Sequence, residues 1–466
     1  MKTLRDRWAV VCCVVLLAAA GCQTNAVTGR LELMLLSEQQ EVSLGHENHP
    51  NIIFMYDGEY QDPELNRYLG TITMRLHRCS HRPHLPVEFT MLNTSMINAF
   101  ATPAHVYATR GFLARLENEA QFAAVMGHEL GHVTAGHSAK QLSNAVALAV
   151  VLGLAGVAAG DSGAGAAAVE VGQVGVTLLG LSYSREQERQ ADRLGTYYMS
   201  LAGWDPEQAI RMQALLHSLA QHQATWLDEF LSTHPPEADR VREIEGVIDE
   251  KDLERRYVQG DGVYGSRWSA RLRRLREVNR AFGPYDRGMK HLVEGRFGEA
   301  LAAANESVGI RSDQAQFYRL RGDALLGLAR TAEAKAAYNE SLARDRRYVP
   351  ANLGLAKAYL AEGDEAAAER EFEKVTEAFP GSVLAHYGLG LARVRLGRYR
   401  EAITPLEAVA SAAPREPQVH YLLGVCYDRT GQRGLAYQAY HNALATGLSG
   451  PDAEEARSRL RALSPR

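Results

Sequence analysis

The chain has 466 residues, 46% of them hydrophobic and 23% charged, which is too long for one ordinary core and enough for two or three domains. That balance excludes a disordered chain. A formal net charge of −4 excludes the overall basic field that gathers nucleic acid or acidic lipid, so no nucleic-acid partner is expected.

At the N-terminus, Lys2, Arg5 and Arg7 precede an apolar run, Trp8 to Ala20, that is too short for a comfortable membrane span. It ends in AAAGC, Ala18 to Cys22, small residues ahead of a cysteine. The segment resembles a bacterial lipoprotein signal, with Ala19 where leucine is usual. Residues 1–21 are read as the signal peptide and Cys22 as the lipid attachment site; the other reading is a plain signal peptide that leaves Cys22 an ordinary thiol. Gln23, not aspartate, comes after the cysteine, and by resemblance to enteric sorting rules this implies a periplasmic protein anchored to the outer membrane by its lipid. Of the five cysteines, Cys12 and Cys13 fall in the leader, and Cys79 and Cys426 are expected to stay unpaired.

VEFTML, Val87 to Leu92, alternates enough to predict a strand of a small sheet. Further on, AAVMGHELGHVTAGH places three histidines and a glutamate within ten residues, His128 to His137. Ala120, Phe122, Ala123, Val125, Met126 and Leu130 share a broad apolar face, which predicts a buried helix. HELGH has the form HExxH. Residues four apart on a helix lie about 40° apart around its axis, so His128 and His132 present their imidazoles to one cation with Glu129 beside them. Zinc at a catalytic site takes three protein ligands and keeps a fourth position open. The metzincin position for the third ligand, six residues after His132, is Ser138. His137 lies about 140° from His132 around a continuing helix, which makes it a helix-end hydrogen-bonding residue unless the helix breaks at Gly136.

Ala145 to Gly160 is uncharged and apolar but shorter than a membrane span, and Asp161 and Glu170 interrupt the next apolar part; a closely packed soluble helical hairpin is expected. In SYSREQERQADRLG, Ser184 and Gln187 form a capping box that starts a helix just before Glu188. Glu188 and Asp192 then share a face: the first can coordinate a metal, and the second can accept the spare N–H of a ligating histidine. Taken alone, the stretch fits a charged helix surface equally well, since Arg185, Glu186, Arg189 and Arg193 surround the pair. Lys251 to Arg280 is arginine-rich and is read as a solvated basic linker helix, the other reading being a surface for an acidic partner or lipid headgroups.

From about residue 281 a 34-residue period runs to the end, the length of tetratricopeptide helix pairs. Small residues recur at Gly288, Gly322, Ala356, Gly390 and Gly424, and again at Ala300, Ala334, Ala368, Ala402 and Ala436. Turn residues recur at Gly295, Ala329, Gly363, Gly397 and Gly431, and bulky ones at Tyr338, Phe372, Leu406 and Tyr440. About five repeats are expected. The first is the weakest, with Ala304 and Ser307 where larger core residues usually sit.

HELGH together with SREQERQAD resembles the gluzincin family of HtpX and the CAAX prenyl proteases, with its pattern HExxH followed by SRxxExxAD. With the lipoprotein-like signal and the repeats, the chain is most similar to the BepA-type periplasmic metalloproteases, over nearly its whole mature length. The resemblance implies an α+β gluzincin-like metallopeptidase domain over residues 22–250, mostly helical with a small sheet, a linker over 251–280, and an all-α repeat superhelix over 281–466. It also implies one Zn2+ per chain on His128, His132 and Glu188, with Asp192 behind them and Glu129 as catalytic base. INAFATPAHVYATRG, Ile97 to Gly111, matches the family's edge-strand segment, with Ala104 and His105 in place of two glycines. STHPPEADR, Ser232 to Arg240, matches its THPxxxxR element, whose histidine lies near the metal. His234 then assists the transition state or takes the fourth coordination position, and His234 or Arg240 stabilises the oxyanion. The implied activity is zinc-dependent peptide-bond hydrolysis in the bacterial cell envelope, on misfolded or stalled envelope proteins. The repeats are expected to hold polypeptide substrates or the outer-membrane assembly machinery, and the lipid anchor to hold the membrane. The alternative is a chaperone or assembly scaffold for outer-membrane proteins with little proteolysis; the intact Glu129 argues that cutting is retained.

Overall fold

The computed structural model describes residues 22–144, 183–222, 233–234, 238–253 and 258–464. The leader over 1–21, the apolar segment 145–160 and the prolines after His234 lie outside the described residues. Among the described residues, no helix is long and apolar enough to cross a membrane. The chain divides into two compact units at Asn279 and Arg280.

The first unit begins with a hairpin, β1 (Cys22–Thr24) and β2 (Leu31–Leu33). Helix α1 (Glu38–Met55) starts at a capping box between Ser37 and Gln40, and α2 (Pro63–Arg78) starts on an Asp62 cap with Pro63 pre-set for the first turn. A three-stranded sheet comes next in the order β3 (Glu88–Leu92), β5 (His105–Thr109), β4 (Ala99–Thr102), with β3 parallel and β4 antiparallel to the central β5. The VEFTML strand and the INAFA edge strand thus flank the same partner. Ala104 closes the β4–β5 turn at φ +71, the left-handed conformation that glycine adopts without cost. His105, which opens β5 and stands at the second position where the resemblance has glycine, is 2% exposed. Its ring stacks on His49 at 4.2 Å between centroids, and its Nε2 lies 2.9 Å from His46 Nδ1. A Cβ on Gly45 of α1 would sit 1.6 Å from the Pro103 carbonyl oxygen, so α1 can lie against this turn only because glycine is there.

Helix α3 (Glu119–Thr134) carries HELGH and is buried along its whole length, as its apolar face predicts. Asn118 caps it, accepting from the Gln121 N–H at 2.8 Å. Its first residue, Glu119, is held by Tyr68, by Trp204 Nε1 at 3.0 Å and by Arg267. Helix α4 (Arg185–Leu201) carries ExxAD and starts at the predicted Ser184–Gln187 capping box. The two helices touch backbone to backbone: a Cβ on Gly127 would lie 2.8 Å from the Gly195 carbonyl oxygen, and one on Gly131 would lie 2.9 Å from that of Ala191. Helices α5 (Glu207–His222) and α6 (Ala238–Lys251) complete the surround.

The arginine-rich stretch is not a solvated connector. Residues 265–279 open helix α7 (Gly265–Val293) and bury Trp268, Leu272, Leu275 and Val278 at 0% exposure, while Arg271, Arg273 and Arg274 face water. Trp268 stacks on Phe122 of α3 and donates to the Leu116 carbonyl at 3.0 Å. The apolar residues recur every three or four positions beneath the arginines, which is an amphipathic helix and not a polar one.

The second unit is the repeat array. The last turns of α7 pair with the helix Phe297–Ile310, four further helix pairs run from Ala315–Gly327 to Arg433–Ala445, and Gly450–Leu463 closes the array. Gly295, Ala329, Gly363, Gly397 and Gly431 all sit at φ between +56 and +81 in the turns between paired helices, so the sequence period is a repeated left-handed turn. The small and bulky registers meet each other: a Cβ on Gly322 would fall 2.5 Å from the Tyr338 ring, and one on Gly424 would fall 2.6 Å from that of Tyr440. In the first pair, where Ala304 replaces the bulky residue, Gly288 packs against Leu320 of the helix Ala315–Gly327 in the following pair.

Candidate metal centre

Because α3 and α4 are in backbone contact, the faces bearing HELGH and ExxAD point at each other. His128, His132, Glu188 and His234 each offer one ligand atom, all within 4.8 Å of one another and all buried. His128 Nε2 is 3.1 Å from His132 Nε2 and 3.6 Å from Glu188 Oε2, and His132 Nε2 is 3.3 Å from Glu188 Oε1. A tetrahedral ion with bonds of about 2.0–2.1 Å needs ligand atoms about 3.3–3.4 Å apart, so the three already span one face of such a site. His234 Nδ1 is 3.3 Å from His128 Nε2 and 2.9 Å from Glu188 Oε1, in the place of a fourth donor. His234, expected near the metal, thus lies beside the other three candidate donors.

Charge gives an independent test of whether a metal fits. Glu129, Glu188 and Asp192 are 1%, 1% and 4% exposed, and among the described residues Arg240 is the one fixed cation beside them, at 3%. Three carboxylates against one guanidinium leave two negative charges out of water, which a divalent cation would cancel. Glu129 Oε1 has no hydrogen-bond partner among the described residues. Such an atom is costly unless something binds it.

Behind the donors, each histidine is held by a different partner. His128 Nδ1 donates to Asp192 Oδ1 at 2.8 Å, which fixes the tautomer with Nε2 bare. Burial would lower the His128 pKa, but the Asp192 carboxylate, with Glu188, raises it above its ordinary value. Arg240 donates from Nε to Asp192 Oδ2 at 2.6 Å and from Nη2 to Oδ1 at 2.8 Å, and its Nη1 is 3.1 Å from Glu188 Oε2. Burial opposes ionisation of Asp192, yet Arg240 and His128 hold its pKa below the ordinary carboxylate value. Arg240, expected at the oxyanion, has its guanidinium against Asp192 behind the donors and against Glu188 of the donor set itself. Burial raises the pKa of Glu129, whose Oε1 is 3.7 Å from His234 Nε2.

His137 departs from its expected place. The helix does break, with Gly136 at φ +67, and a new helical segment starts at His137. His137 stays outside the donor group all the same and lies with Nδ1 2.8 Å from His132 Nδ1, its Nε2 2.9 Å from Gln190 Oε1. Tyr183 stacks on His132 at 3.8 Å between centroids. Neither Tyr183 nor Gln190 carries a sequence signal of its own; both become visible only once α4 lies against α3.

Residues 63–248 match the model of peptidase family M48, and residues 325–393 and 359–426 match a tetratricopeptide repeat model. The chain is 28% identical over 333 residues to the beta-barrel assembly-enhancing protease of Escherichia coli (strain K12), a match covering 65% of this chain and 66% of that relative. It is 29% identical over 218 residues to mitochondrial metalloendopeptidase OMA1 of Schizosaccharomyces pombe, covering 46% of this chain and 60% of the relative. Among solved structures, the TPR protein YrrB covers 38% of this chain and 92% of its own at 18% identity, with a TM-score of 0.35. With the HELGH and ExxAD helices converging on a metal-ligand set, the chain carries a metallopeptidase domain of family M48 followed by tetratricopeptide repeats.

Proposed function

We propose that the protein is a zinc-dependent endopeptidase of the bacterial cell envelope, anchored at Cys22 to the periplasmic face of the outer membrane, that hydrolyses misfolded or stalled envelope proteins. The observation that carries this reading is the His128–His132–Glu188 donor set with the Glu129 carboxylate one residue along the same helix. Two imidazoles and a carboxylate suit Zn2+ with one position left for substrate or water. When bound there, Zn2+ supplies Lewis acidity that polarises a peptide carbonyl and lowers the pKa of water. Glu129, with its raised pKa, takes a proton from the attacking water and returns it to the leaving amine. Arg240 and Asp192 keep His128 oriented throughout. His234 either fills the fourth position and keeps the enzyme latent, or stabilises the oxyanion. The repeats hold clients or assembly partners by their surface. This reading is supported by the names of the relatives, a beta-barrel assembly-enhancing protease and a metalloendopeptidase.

Replacing Glu129 by Gln tests hydrolysis against pure scaffolding. The variant should keep its metal and lose about 10²–10⁴-fold in cleavage of an unfolded outer-membrane protein. Equal cleavage by both forms, at equal metal content, removes Glu129 as the base.

A further inference from the structure

Cys22 is already the first residue of a strand. β1 and β2 pair with Cys22 opposite Leu33, Gln23 opposite Glu32 and Thr24 opposite Leu31. Side chains alternate along a strand and cross-strand partners share a face, so Cys22, Thr24, Leu31 and Leu33 project from one side of the hairpin and Gln23 and Glu32 from the other. The second side faces the protein: Gln23 Nε2 donates to the Met34 and Leu36 carbonyls at 2.9 and 3.0 Å, and Glu32 pairs with Lys140 at 3.0 Å. Two further bonds fasten this segment to the peptidase unit, Asn25 Nδ2 to the Ala135 carbonyl at 2.9 Å and the Leu35 N–H to Ser143 Oγ at 2.9 Å. The first side faces out. Cys22 and Thr24 are exposed on this side, and Leu31 is 73% exposed.

We propose that this outer face is a membrane-docking surface: the acyl chains on Cys22 and the Leu31 side chain enter one leaflet, and the hairpin seats the peptidase unit directly on the bilayer. The inference rests on the reading of Cys22 as the lipid attachment site. A lipid there has almost no slack. From Cys22 to Asn25 is at most about 10 Å of extended chain, and Asn25 is bonded to Ala135, which lies three residues, about 5 Å of helix rise, beyond His132. The metal centre is therefore held on the order of 20 Å from the headgroups. Leu31 adds apolar area on the side from which the lipid leaves. A site at that distance is within reach of polypeptide segments lying on, or emerging from, the membrane surface.

The test uses the full-length acylated protein in vesicles of phosphatidylethanolamine and phosphatidylglycerol with brominated acyl chains. Leu31→Trp places a reporter on the proposed face, where high exposure makes the substitution harmless to the hairpin; its emission is read as the difference from wild type. Quenching at least twofold greater than in the non-acylated Cys22→Ser, Leu31→Trp protein is expected. An acylated N-terminal peptide in the mass spectrum with an unquenched reporter overturns the docking and leaves the anchor standing. An N-terminal peptide without acylation overturns the anchor, and the docking with it.

Discussion

The backbone contact between α3 and α4 can be broken with one methyl group. A Cβ on Gly195 would lie 2.5 Å from the His128 nitrogen, 2.7 Å from the Gly127 carbonyl carbon and 2.9 Å from the His128 Cα, all of them backbone atoms that cannot swing away. Restoring ordinary contact means parting the helices by about 1 Å, and overpacking of this kind costs about 1–3 kcal/mol. The same movement carries Glu188 away from His128 and His132, where ligand distances tolerate only about 0.2 Å. Gly195→Ala should thus lower both stability and metal affinity, the latter at least about tenfold by analogy with the loss of an orienting partner. Gly70→Ala is the control. It also lies within a helix, but its nearest contact would be Phe89 Cβ at 3.9 Å, so it should gain up to about 1 kcal/mol. All four tryptophans, Trp8, Trp204, Trp226 and Trp268, precede residue 280, so tryptophan fluorescence during urea unfolding reports the first unit without the repeats. Competition with a chromogenic chelator reports the metal. An unchanged midpoint and unchanged competition in Gly195→Ala would refute the claim that this close approach assembles the site.

His234→Ala leaves three donors in place, so its sign on a short peptide separates the two roles of His234: faster turnover means a displaced fourth ligand, and a loss of about 10²–10³ in kcat means an oxyanion partner. Chelation should lower the fluorescence midpoint, because removing the ion leaves Glu129, Glu188 and Asp192 against Arg240 alone; a 100-fold excess of metal over its Kd should restore about 2.7 kcal/mol, and a chelator-insensitive midpoint would contradict the charge argument. His105 gives a pH signature. Burial, with His49 and His46 beside it, lowers its folded pKa to about 4 from 6.5, so between those values the unfolded chain binds more protons and stability falls as pH falls, by up to about 3 kcal/mol. Glu59 and Glu88 oppose the matching shift at His49. His105→Gln should flatten the fluorescence midpoint between pH 6.5 and 4, and an unchanged slope would assign the acid sensitivity elsewhere.

Much of this architecture is legible in the sequence, for reasons that can be stated residue by residue. The repeats show because the same contact recurs: Gly322 must make room for Tyr338 and Gly424 for Tyr440, so small and bulky residues keep a fixed offset. The ligands show because helix geometry ties His128 to His132 and Glu188 to Asp192 at four-residue spacing. Whatever depends on packing between distant segments does not show. Composition hides the buried stripe of Trp268, Leu272, Leu275 and Val278 beneath arginines. In the sequence Arg240 is a charge near the chemistry, and only the fold reveals that Asp192 and Glu188 already occupy it. On a continuing helix His137 would turn away from His132, and a single positive φ at Gly136 brings it alongside.

These partners make the two histidines of the proposed ligand set chemically unequal. His128 leans on a carboxylate, Asp192, whose charge Arg240 balances; the electron density pushed into the ring strengthens it as a donor, and the arginine keeps that carboxylate from adding to the buried excess. His132 leans on a neutral imidazole, and one proton arrangement satisfies every atom in that chain. His132 donates from Nδ1 to His137 Nδ1, and His137 donates from Nε2 to Gln190 Oε1, which leaves His132 Nε2 bare toward the metal. A second carboxylate in place of His137 would have raised the buried charge to a level that one guanidinium and one divalent ion could not cancel. The neutral His137–Gln190 pair therefore orients the second ligand without charge, and Gln190 comes from the same α4 helix turn that carries Glu188 and Asp192. Helix α4 thus supplies Glu188, the partner of His128 and the residue that holds His137 against His132, which is why its approach to α3, through Gly195, decides whether these side chains come together.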